Sequence, residues 1–573
     1  MTHLPRLYAR LVLPALAALS LSAAPVMAAT TVAVEAPSGV GSYLAGQQAL
    51  NDLSTGDAAK YFHDALADQW NNPSVVTRAL GAYLANGDID RAIATANHLL
   101  DLDPNNILGK LTVATADLKD RRYRAAITEL DKLPVDNFPG ITGAILRAWA
   151  YVGDGRRADG FASLDKISTP GLSDFLVFHR ALMADVAGDS ADAVTLAGKA
   201  YDANSNSGRT VEAYARILGN AGRFDDGIAV ADKFAAQGYV DPLIQLVKKS
   251  LVAHQRPGLF SANVQSGAAE MFRGVALIFA RDGSNDLAVG FLQLGLYLDP
   301  HNDGVALLLG QMFDDANQHK QANDIYTGIA SSSPLRLAAS VRVAQNFNSM
   351  GNRPEAITQL GNIVRTNPDN LEALSILAQL LRFDSQYDAS AKIYSQALSL
   401  DDGNRPADWA LYYQRGIAYE RGGKWDQAQP DFLKALDLNP DQPDVLNYLG
   451  YTWVDKGQNL SQALDMIQKA VKAQPTDGFI VDSLGWAFFK LGRVDDAVST
   501  LEQAVQLKPN DPAINDHLGD AYWKAGRKLE AHFQWNVAAS LDTDGSLKAS
   551  IAKKQVSGLD SASTAPAAAT VTQ

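Results

Sequence analysis

The chain has 573 residues, of which 47% are hydrophobic and 20% charged, and its formal net charge is −13. It contains no cysteine, which excludes disulfides, thiolate metal sites and a cysteine nucleophile. A surface this acidic argues against nucleic acid as a partner, because sequence-independent binding needs basic stripes that displace counterions from phosphates.

Residues 1–28 have the order of features found in a secretory signal peptide. Arg6 and Arg10 precede a short apolar run, and Val26 and Ala28 suit the small-residue positions before a cleavage site. We therefore expect cleavage after Ala28 and export to the periplasm, with peripheral association with a membrane left open. The alternative is an uncleaved anchor, although the apolar run is short for a membrane span.

A linker over 29–42 leads to a degenerate repeat array over 43–240. Its marker residues recur at a spacing of 33 or 34 residues: Gly46, Leu80, Ala114, Ala148, Ala181 and Ala215. A fixed period of this size is the signature of a solenoid. Because one such unit cannot bury its apolar face alone, we expect each unit to stack on its neighbours in the sequence.

The period breaks once, since 61 residues separate Ala215 from Ala276. Within the break, residues 241–268 hold one predicted helix and then a stretch containing Pro and Gly. We interpret this segment as an irregular junction between two sub-arrays. A degenerate repeat with a shortened loop is the alternative.

A second array over 269–545 carries a stronger pattern. Small residues mark each unit at steps of 34 to 38 residues, and Ala usually follows twelve positions later. We predict that these residues lie where the two helices of a unit approach closely, because a bulky side chain there would force them apart. The predicted close-packing residues are Gly310, Gly416, Gly450, Gly485, Gly519, Ala322, Ala356, Ala428, Ala497 and Ala531.

The pattern of "RGIAYERGGKWDQAQPDFLKALDLNP" and "LGWAFFKLGRVDDAVSTLEQAVQLKP" resembles the tetratricopeptide repeat (TPR). That resemblance implies an all-α fold, a right-handed superhelical solenoid of about fourteen helix-turn-helix repeats. Residues 546–573 are expected to form a capping segment and a disordered tail, because the last of them are small and polar.

Motifs for catalysis are missing from the sequence. No phosphate-binding loop, nucleophile elbow or pair of metal-binding histidines occurs at the required spacing. Asp516, His517 and Asp520 lie close on one predicted helix, but such a trio is more often solvated surface than a metal site. We therefore expect no enzyme activity, no metal and no cofactor.

The TPR resemblance implies that the first helix of each repeat lines a concave groove. Aromatic, acidic and amide side chains at the inward positions of the last four repeats form the predicted partner-binding groove: Tyr413, Asn447, Tyr451, Asp482, Trp486, Phe489, Asp516, Asp520 and Trp523. Large aromatic side chains suit a peptide-binding surface. The alternative is that some of these rings pack between neighbouring repeats, which we favour for Trp453 and Trp535.

These observations favour an exported scaffold or adaptor that binds partner polypeptides in its groove. "VLNYLGYTWVDKG" and "INDHLGDAYWKAGRKLEA" resemble periplasmic and outer-membrane TPR adaptors of Gram-negative bacteria, which hold a carboxyl-terminal processing protease and its substrates together. Those adaptors have a lipid-bearing cysteine that this chain lacks. An assembly factor for polysaccharide export, secretion or pili is the alternative, and nothing in the sequence supports an enzyme with an unrecognised site.

Overall fold

The computed structural model describes residues 39–131, 133–135, 137–400 and 403–559. In these ranges every regular element is helical: thirty α-helices and one short 3₁₀ helix, Pro406–Asp408. Apart from α13 and α30, the α-helices pair in order into fourteen hairpins. The predicted all-α repeat fold is therefore confirmed, whereas the predicted signal peptide and most of the predicted tail lie outside the described residues.

The described chain forms two compact units, which divide between Thr366 and Asn367. This division lies about a hundred residues after the segment 241–268, which the sequence predicted as the junction. We call the part up to Thr366 the N-terminal unit and the part from Asn367 the C-terminal unit.

The N-terminal unit contains nineteen helices. They are α1 (Gly39–Asn51), α2 (Thr55–Gln69), α3 (Pro73–Ala85), α4 (Ile89–Leu102), α5 (Ile107–Lys119), α6 (Tyr123–Leu130), α7 (Phe138–Gly153), α8 (Arg157–Leu164), α9 (Ser173–Val186), α10 (Ser190–Ala203), α11 (Gly208–Asn220), α12 (Phe224–Ala235), α13 (Pro242–Val252), α14 (Val264–Arg281), α15 (Asn285–Leu298), α16 (Asp303–Asp315), α17 (His319–Gly328), α18 (Arg336–Ser349) and α19 (Arg353–Thr366).

The C-terminal unit contains the other eleven. They are α20 (Leu371–Phe383), α21 (Tyr387–Leu398), α22 (Trp409–Arg421), α23 (Trp425–Leu438), α24 (Pro443–Asp455), α25 (Leu460–Ala473), α26 (Gly478–Lys490), α27 (Val494–Leu507), α28 (Pro512–Lys524), α29 (Lys528–Leu541) and α30 (Lys548–Ser557).

Local chemistry explains where these helices begin and turn. Asp477 caps α26 by accepting hydrogen bonds from the backbone N–H groups of Phe479 and Ile480, and Asp511 caps α28 by accepting one from that of Ile514. Between the two helices of each hairpin the chain passes through a positive φ angle, most often at glycine, as at Gly492 with φ of 74°. The same capped hairpin can therefore repeat along the chain.

The N-terminal unit is not a simple stack of neighbours. Helices α14 and α15 turn back and pack against helices far earlier in the sequence: α14 on α7 and α9, and α15 on α1, α3, α4 and α5. Most of these are the first helices of their hairpins, so α14 and α15 cover the inner surface of the array. One apolar core consequently joins residues from Ala49 to Val343.

The C-terminal unit follows the expected solenoid rule. Each of its helices makes its substantial contacts with helices at most two places away in the sequence. Helix α30 packs on α29 and covers the last hairpin, close to where the capping segment was predicted. Among the described residues, no helix has both the length and the apolar run needed to cross a membrane.

Candidate partner-binding surface

The inner surface of the N-terminal unit is occupied by the chain itself. Gly267 of α14 lies so close to the Trp149 ring that a Cβ added there would come within 2.1 Å of it, and one at Gly274 would come within 2.3 Å of the Phe175 ring. Glycine at these positions lets α14 lie directly on the aromatic residues of α7 and α9. A partner could not reach those residues without displacing α14.

Polar contacts fix α14 and α15 in this position. The Arg209 guanidinium of α11 donates to the Glu270 carboxylate of α14 at 2.7 Å. Burial raises the pKa of Glu270, but the charges of Arg209 and Arg273 and the hydrogen bond from Arg209 together hold that pKa below its ordinary value. Gln265 and Lys119 add hydrogen bonds to backbone carbonyls, and Lys119 reaches the C-terminal end of α15 at the carbonyl of Leu298.

In the C-terminal unit, the first helices of the hairpins are α20, α22, α24, α26 and α28. Helix α24 places Asp444, Asn447, Tyr451 and Asp455 at spacings of three, four and four residues, so the four side chains lie on one face of the helix. We call this set the α24 stripe. It contains two of the predicted groove residues, Asn447 and Tyr451, both half-buried.

The neighbours of the α24 stripe come from the other inner helices. Burial, Asp482 of α26 and Asp455 raise the pKa of the Tyr451 hydroxyl. The Tyr413 ring of α22 is buried, and burial and the Asp444 charge raise the pKa of its hydroxyl. The stripe therefore lies on the inner surface, with predicted groove residues on both sides.

Trp486 is less exposed than expected for a side chain that is free to contact a partner. Only 8% of it is exposed, and its indole stacks on Phe489 at 4.9 Å and on His517 of α28 at 4.2 Å between ring centroids. Its Nε1–H nevertheless has no hydrogen-bond partner in the described part of the chain. Trp486 thus packs between repeats and leaves one buried donor unsatisfied.

The Asp482 side chain contacts the neighbouring repeat. Its carboxylate lies 3.0 Å from Nδ1 of His517, and both side chains are buried. Burial lowers the pKa of His517, but the charge and hydrogen bond of Asp482, together with the charges of Asp516 and Asp520, raise it above the ordinary value. This contact links α26 to α28.

Asp516 and Asp520 are not open to a partner, which differs from the expectation for a groove. Each is 5% exposed, and both hold the ammonium group of Lys554 from α30, at 2.7 and 2.8 Å. Asp520 also accepts a hydrogen bond from the Trp535 indole. Since His517 bonds Asp482, each member of the Asp516, His517 and Asp520 trio has a protein partner.

Trp523 packs at the end of the unit. Its ring lies 5.5 Å from that of Trp535, and the Lys528 ammonium lies 4.6 Å from its centroid. The structure therefore brings Asn447, Tyr451, Asp482, Trp486 and Phe489 together across α24 and α26, with Tyr413 beside them. It places Asp516, Asp520 and Trp523 under the cap formed by α29 and α30, and binding by any of these residues stays a prediction.

The predicted close-packing residues lie inside the hairpins. A Cβ added at Gly310, Gly416, Gly450, Gly485 or Gly519 would come within 2.3 to 2.8 Å of a side chain on the second helix of the same hairpin. Ala322, Ala356, Ala428, Ala497 and Ala531 are fully buried. At Gly485 the approaching side chain is Leu501, where the sequence placed Ala497.

Sequence reasoning missed three residues at this surface or its cap. Asp455 continues the four-residue spacing of the α24 stripe, so the spacing itself could have identified it. Lys554 could not have been found, because its position depends on how α30 folds back on α28. His517 was considered only as a metal ligand, whereas it bonds Asp482.

Models of known protein families match several of the repeats. Models described as "TPR repeat" and "Tetratricopeptide repeat" match residues 485–526 in the first case and 77–106, 344–407 and 413–478 in the second. The "TPR repeat-containing protein PA4667" of Pseudomonas aeruginosa is 26% identical over 196 residues, which cover 34% of this chain and 32% of that protein.

Two further proteins match this chain at lower sequence identity. The human "Protein O-mannosyl-transferase TMTC1" is 23% identical over 213 residues, 37% of this chain and 24% of that protein. The match thus spans a third or less of the length of these two relatives. The solved APC/C hetero-tetramer Cut9-Hcn1 is 16% identical with a TM-score of 0.37, covering 90% of this chain and 95% of that one. Tetratricopeptide models thus match hairpins in both units, and these segments of the chain are tetratricopeptide repeats.

Proposed function

We propose that the protein is a scaffold that binds a partner polypeptide on the inner surface of its C-terminal unit, at the α24 stripe and the adjoining face of α26. The observation that carries this proposal is the contrast between the two units. Helices α14 and α15 cover the inner surface of the N-terminal unit, whereas no described helix of the C-terminal unit packs across α22, α24 and α26 in that way. Aromatic side chains beside hydrogen-bonding groups suit a polypeptide.

The setting we propose is the bacterial cell envelope. The features of residues 1–28 support export. The segment "VLNYLGYTWVDKG", which includes Asn447, Tyr451 and Asp455 of the α24 stripe, supports a role like that of the adaptors of carboxyl-terminal processing proteases. Linking such a protease to its substrates is therefore our first candidate role. Assembly of a polysaccharide-export, secretion or pilus machinery is the second.

Site-specific photocrosslinking in the cell envelope tests the proposal. A photoreactive amino acid in place of Asn447 should capture a partner polypeptide, which mass spectrometry then identifies. The matched control carries the same amino acid at Asp426, an exposed position on the second helix of a neighbouring hairpin. Capture at position 447 and not at 426 would support the inner surface as the binding site.

The identity of the captured protein separates the roles. A protease with a cell-wall hydrolase supports the adaptor role, and components of an export channel support the assembly role. Equal capture at the two positions would overturn the inner-surface proposal. Turnover of a small substrate by the purified chain would contradict the expectation that it is not an enzyme.

A further inference from the structure

Asp444 and Asp455 are the two carboxylates of the α24 stripe. Neither Asp444 nor Asp455 forms an ion pair in the described part of the chain, although both are partly buried. Asp444 accepts one hydrogen bond, from the Gln442 amide, and Oδ1 of Asp455 is buried with no partner. A buried carboxylate without a counter-ion is costly, so a cation supplied by a partner would be stabilising here.

The charged groups around each carboxylate do not remove this cost. Burial is the main effect on the pKa of Asp455 and raises it, and the Glu420 charge adds to the rise. Lys490, Lys456 and His517 oppose it without cancelling it. Burial and the Asp477 charge likewise raise the pKa of Asp444. Both ends of the stripe thus favour added positive charge.

Unsatisfied hydrogen-bonding groups lie between and beside these carboxylates. Oδ1 of Asn447 on the stripe and Nε1 of Trp486 on α26 are buried and have no partner in the described residues. The Trp486 ring contacts both His517 and Lys490, the two side chains that act on Asp455 from α28 and α26. One acceptor and one donor at this place match the N–H and C=O groups of a polypeptide backbone.

We propose that the partner segment bound at the α24 stripe is basic, with Lys or Arg side chains at Asp444 and Asp455 and its backbone at Asn447 and Trp486. This inference rests on the function proposed above. Eleven residues of helix separate the two carboxylates by about 16 Å, which is too far for one basic side chain to serve both. The segment therefore carries two basic side chains, about five residues apart if it is extended.

Retention of peptides by the purified full chain tests this inference. The probes are two degenerate nonamer libraries that differ only at positions 2 and 7, which hold Lys or Arg in one library and Gln or Glu in the other. We expect the immobilised protein to retain the basic library at least fivefold better, in line with about two partly exposed charge pairs. Raising the salt concentration should reduce the difference.

Two double variants test whether the preference for the basic library comes from the α24 stripe. The double variant Asp444→Asn with Asp455→Asn keeps side-chain size and should lose the preference for the basic library. The matched control is Asp426→Asn with Asp495→Asn, which removes the same charge from exposed positions on second helices of hairpins. This control should retain the preference. Thermal unfolding of both variants verifies that they are folded.

Each outcome decides a different question. Equal retention of the two libraries, or a preference that survives in the stripe variant, would overturn the basic-segment inference. Crosslinking at Asn447 would in that case still support the scaffold. If the wild-type chain retained neither library and Asn447 captured no partner, the inference and the proposed function would both fail.

Discussion

At the scale of single residues, the hairpins depend on glycine at positions where a side chain would collide with the second helix. A Cβ at Gly485 would come within 2.5 Å of Leu501. Gly485→Ala should therefore overpack the contact between α26 and α27 and cost about 1–3 kcal/mol. Hydrogen exchange should rise in these two helices and stay unchanged near residue 100, because solenoid stability is a sum of neighbour terms.

The same substitution at another helical glycine provides the control. A Cβ at Gly361 of α19 would meet nothing within 4 Å. Gly361→Ala should stabilise its helix by about 0.5–1 kcal/mol, because alanine loses less backbone entropy than glycine. Equal changes in protection at the two sites would contradict the assignment of Gly485 to close packing.

His179 makes the N-terminal unit sensitive to acid. It is fully buried among the rings of Trp149, Phe175 and Phe178, and burial lowers its pKa from 6.5 to about 4 although the Glu270 charge opposes the shift. Since the unfolded chain binds the proton first, stability should fall as the pH drops through 6.5 toward 4. We expect a loss of about 2 kcal/mol at pH 5.

The variant His179→Phe isolates this contribution. It keeps a buried ring but cannot take up a proton, so hydrogen exchange in α7 and α9 should depend less on pH between 7.5 and 5 than in the wild type. Comparing the two proteins subtracts other groups that titrate nearby, such as Asp185 of α9, whose pKa burial raises to about 6. Identical pH dependence in both proteins would contradict the role given to His179.

At the scale of helices, the docking of α14 and α15 decides how the N-terminal unit behaves. A Cβ at Gly267 would come within 2.1 Å of the Trp149 ring. Gly267→Ala should therefore loosen α14 from α7 and cost about 1–3 kcal/mol. Hydrogen exchange should rise in α7 and α9 as well as in α14, although these helices are distant in the sequence.

Gly81 of α3 is the control for this prediction. It also lies on an inner helix, but a Cβ there would meet nothing within 4 Å. Gly81→Ala should leave exchange in α7, α9 and α14 unchanged. A rise confined to α14 and α15 after Gly267→Ala would mean that the unit is held together by sequence neighbours alone.

The sequence predicted hairpins far better than it predicted this docking. The period places small residues such as Gly485 at fixed steps, because each hairpin has the same close approach. No period marks the contact of Gly267 with Trp149, since it joins two helices with different repeat registers. The break between Ala215 and Ala276 signalled an irregularity, but its meaning depends on which surface α14 covers.

The candidate site shows the same limit. The inward positions of the repeat place Asn447 and Tyr451 on the α24 stripe, where the structure has them. Burial and pairing across helices were not predictable, because they depend on the next element: His517 closes over Trp486, and Lys554 over Asp516 and Asp520. Inward position alone therefore does not distinguish a side chain that can reach a partner from one that holds repeats together.

At the scale of the whole molecule, the two units should have separate tasks. The C-terminal unit, from Asn367, has its own cores and carries the α24 stripe, whereas the inner surface of the N-terminal unit is already covered. We therefore expect a fragment of residues 367–573 to fold and to bind the partner captured at Asn447. The Kd of the fragment should lie within about threefold of that of the full chain. A threefold change in Kd corresponds to about 0.7 kcal/mol of binding free energy, and we expect contacts outside the fragment to contribute less than that.

The complementary fragment, residues 29–366, should fold but not bind that partner. Calorimetry of both fragments against the captured protein measures the difference, and circular dichroism verifies that each is helical. Binding by 29–366 with the affinity of the full chain would place the interaction on an outer surface of the N-terminal unit. Because α14 and α15 already cover the inner surface of this unit, that result would require a binding site outside the concave face.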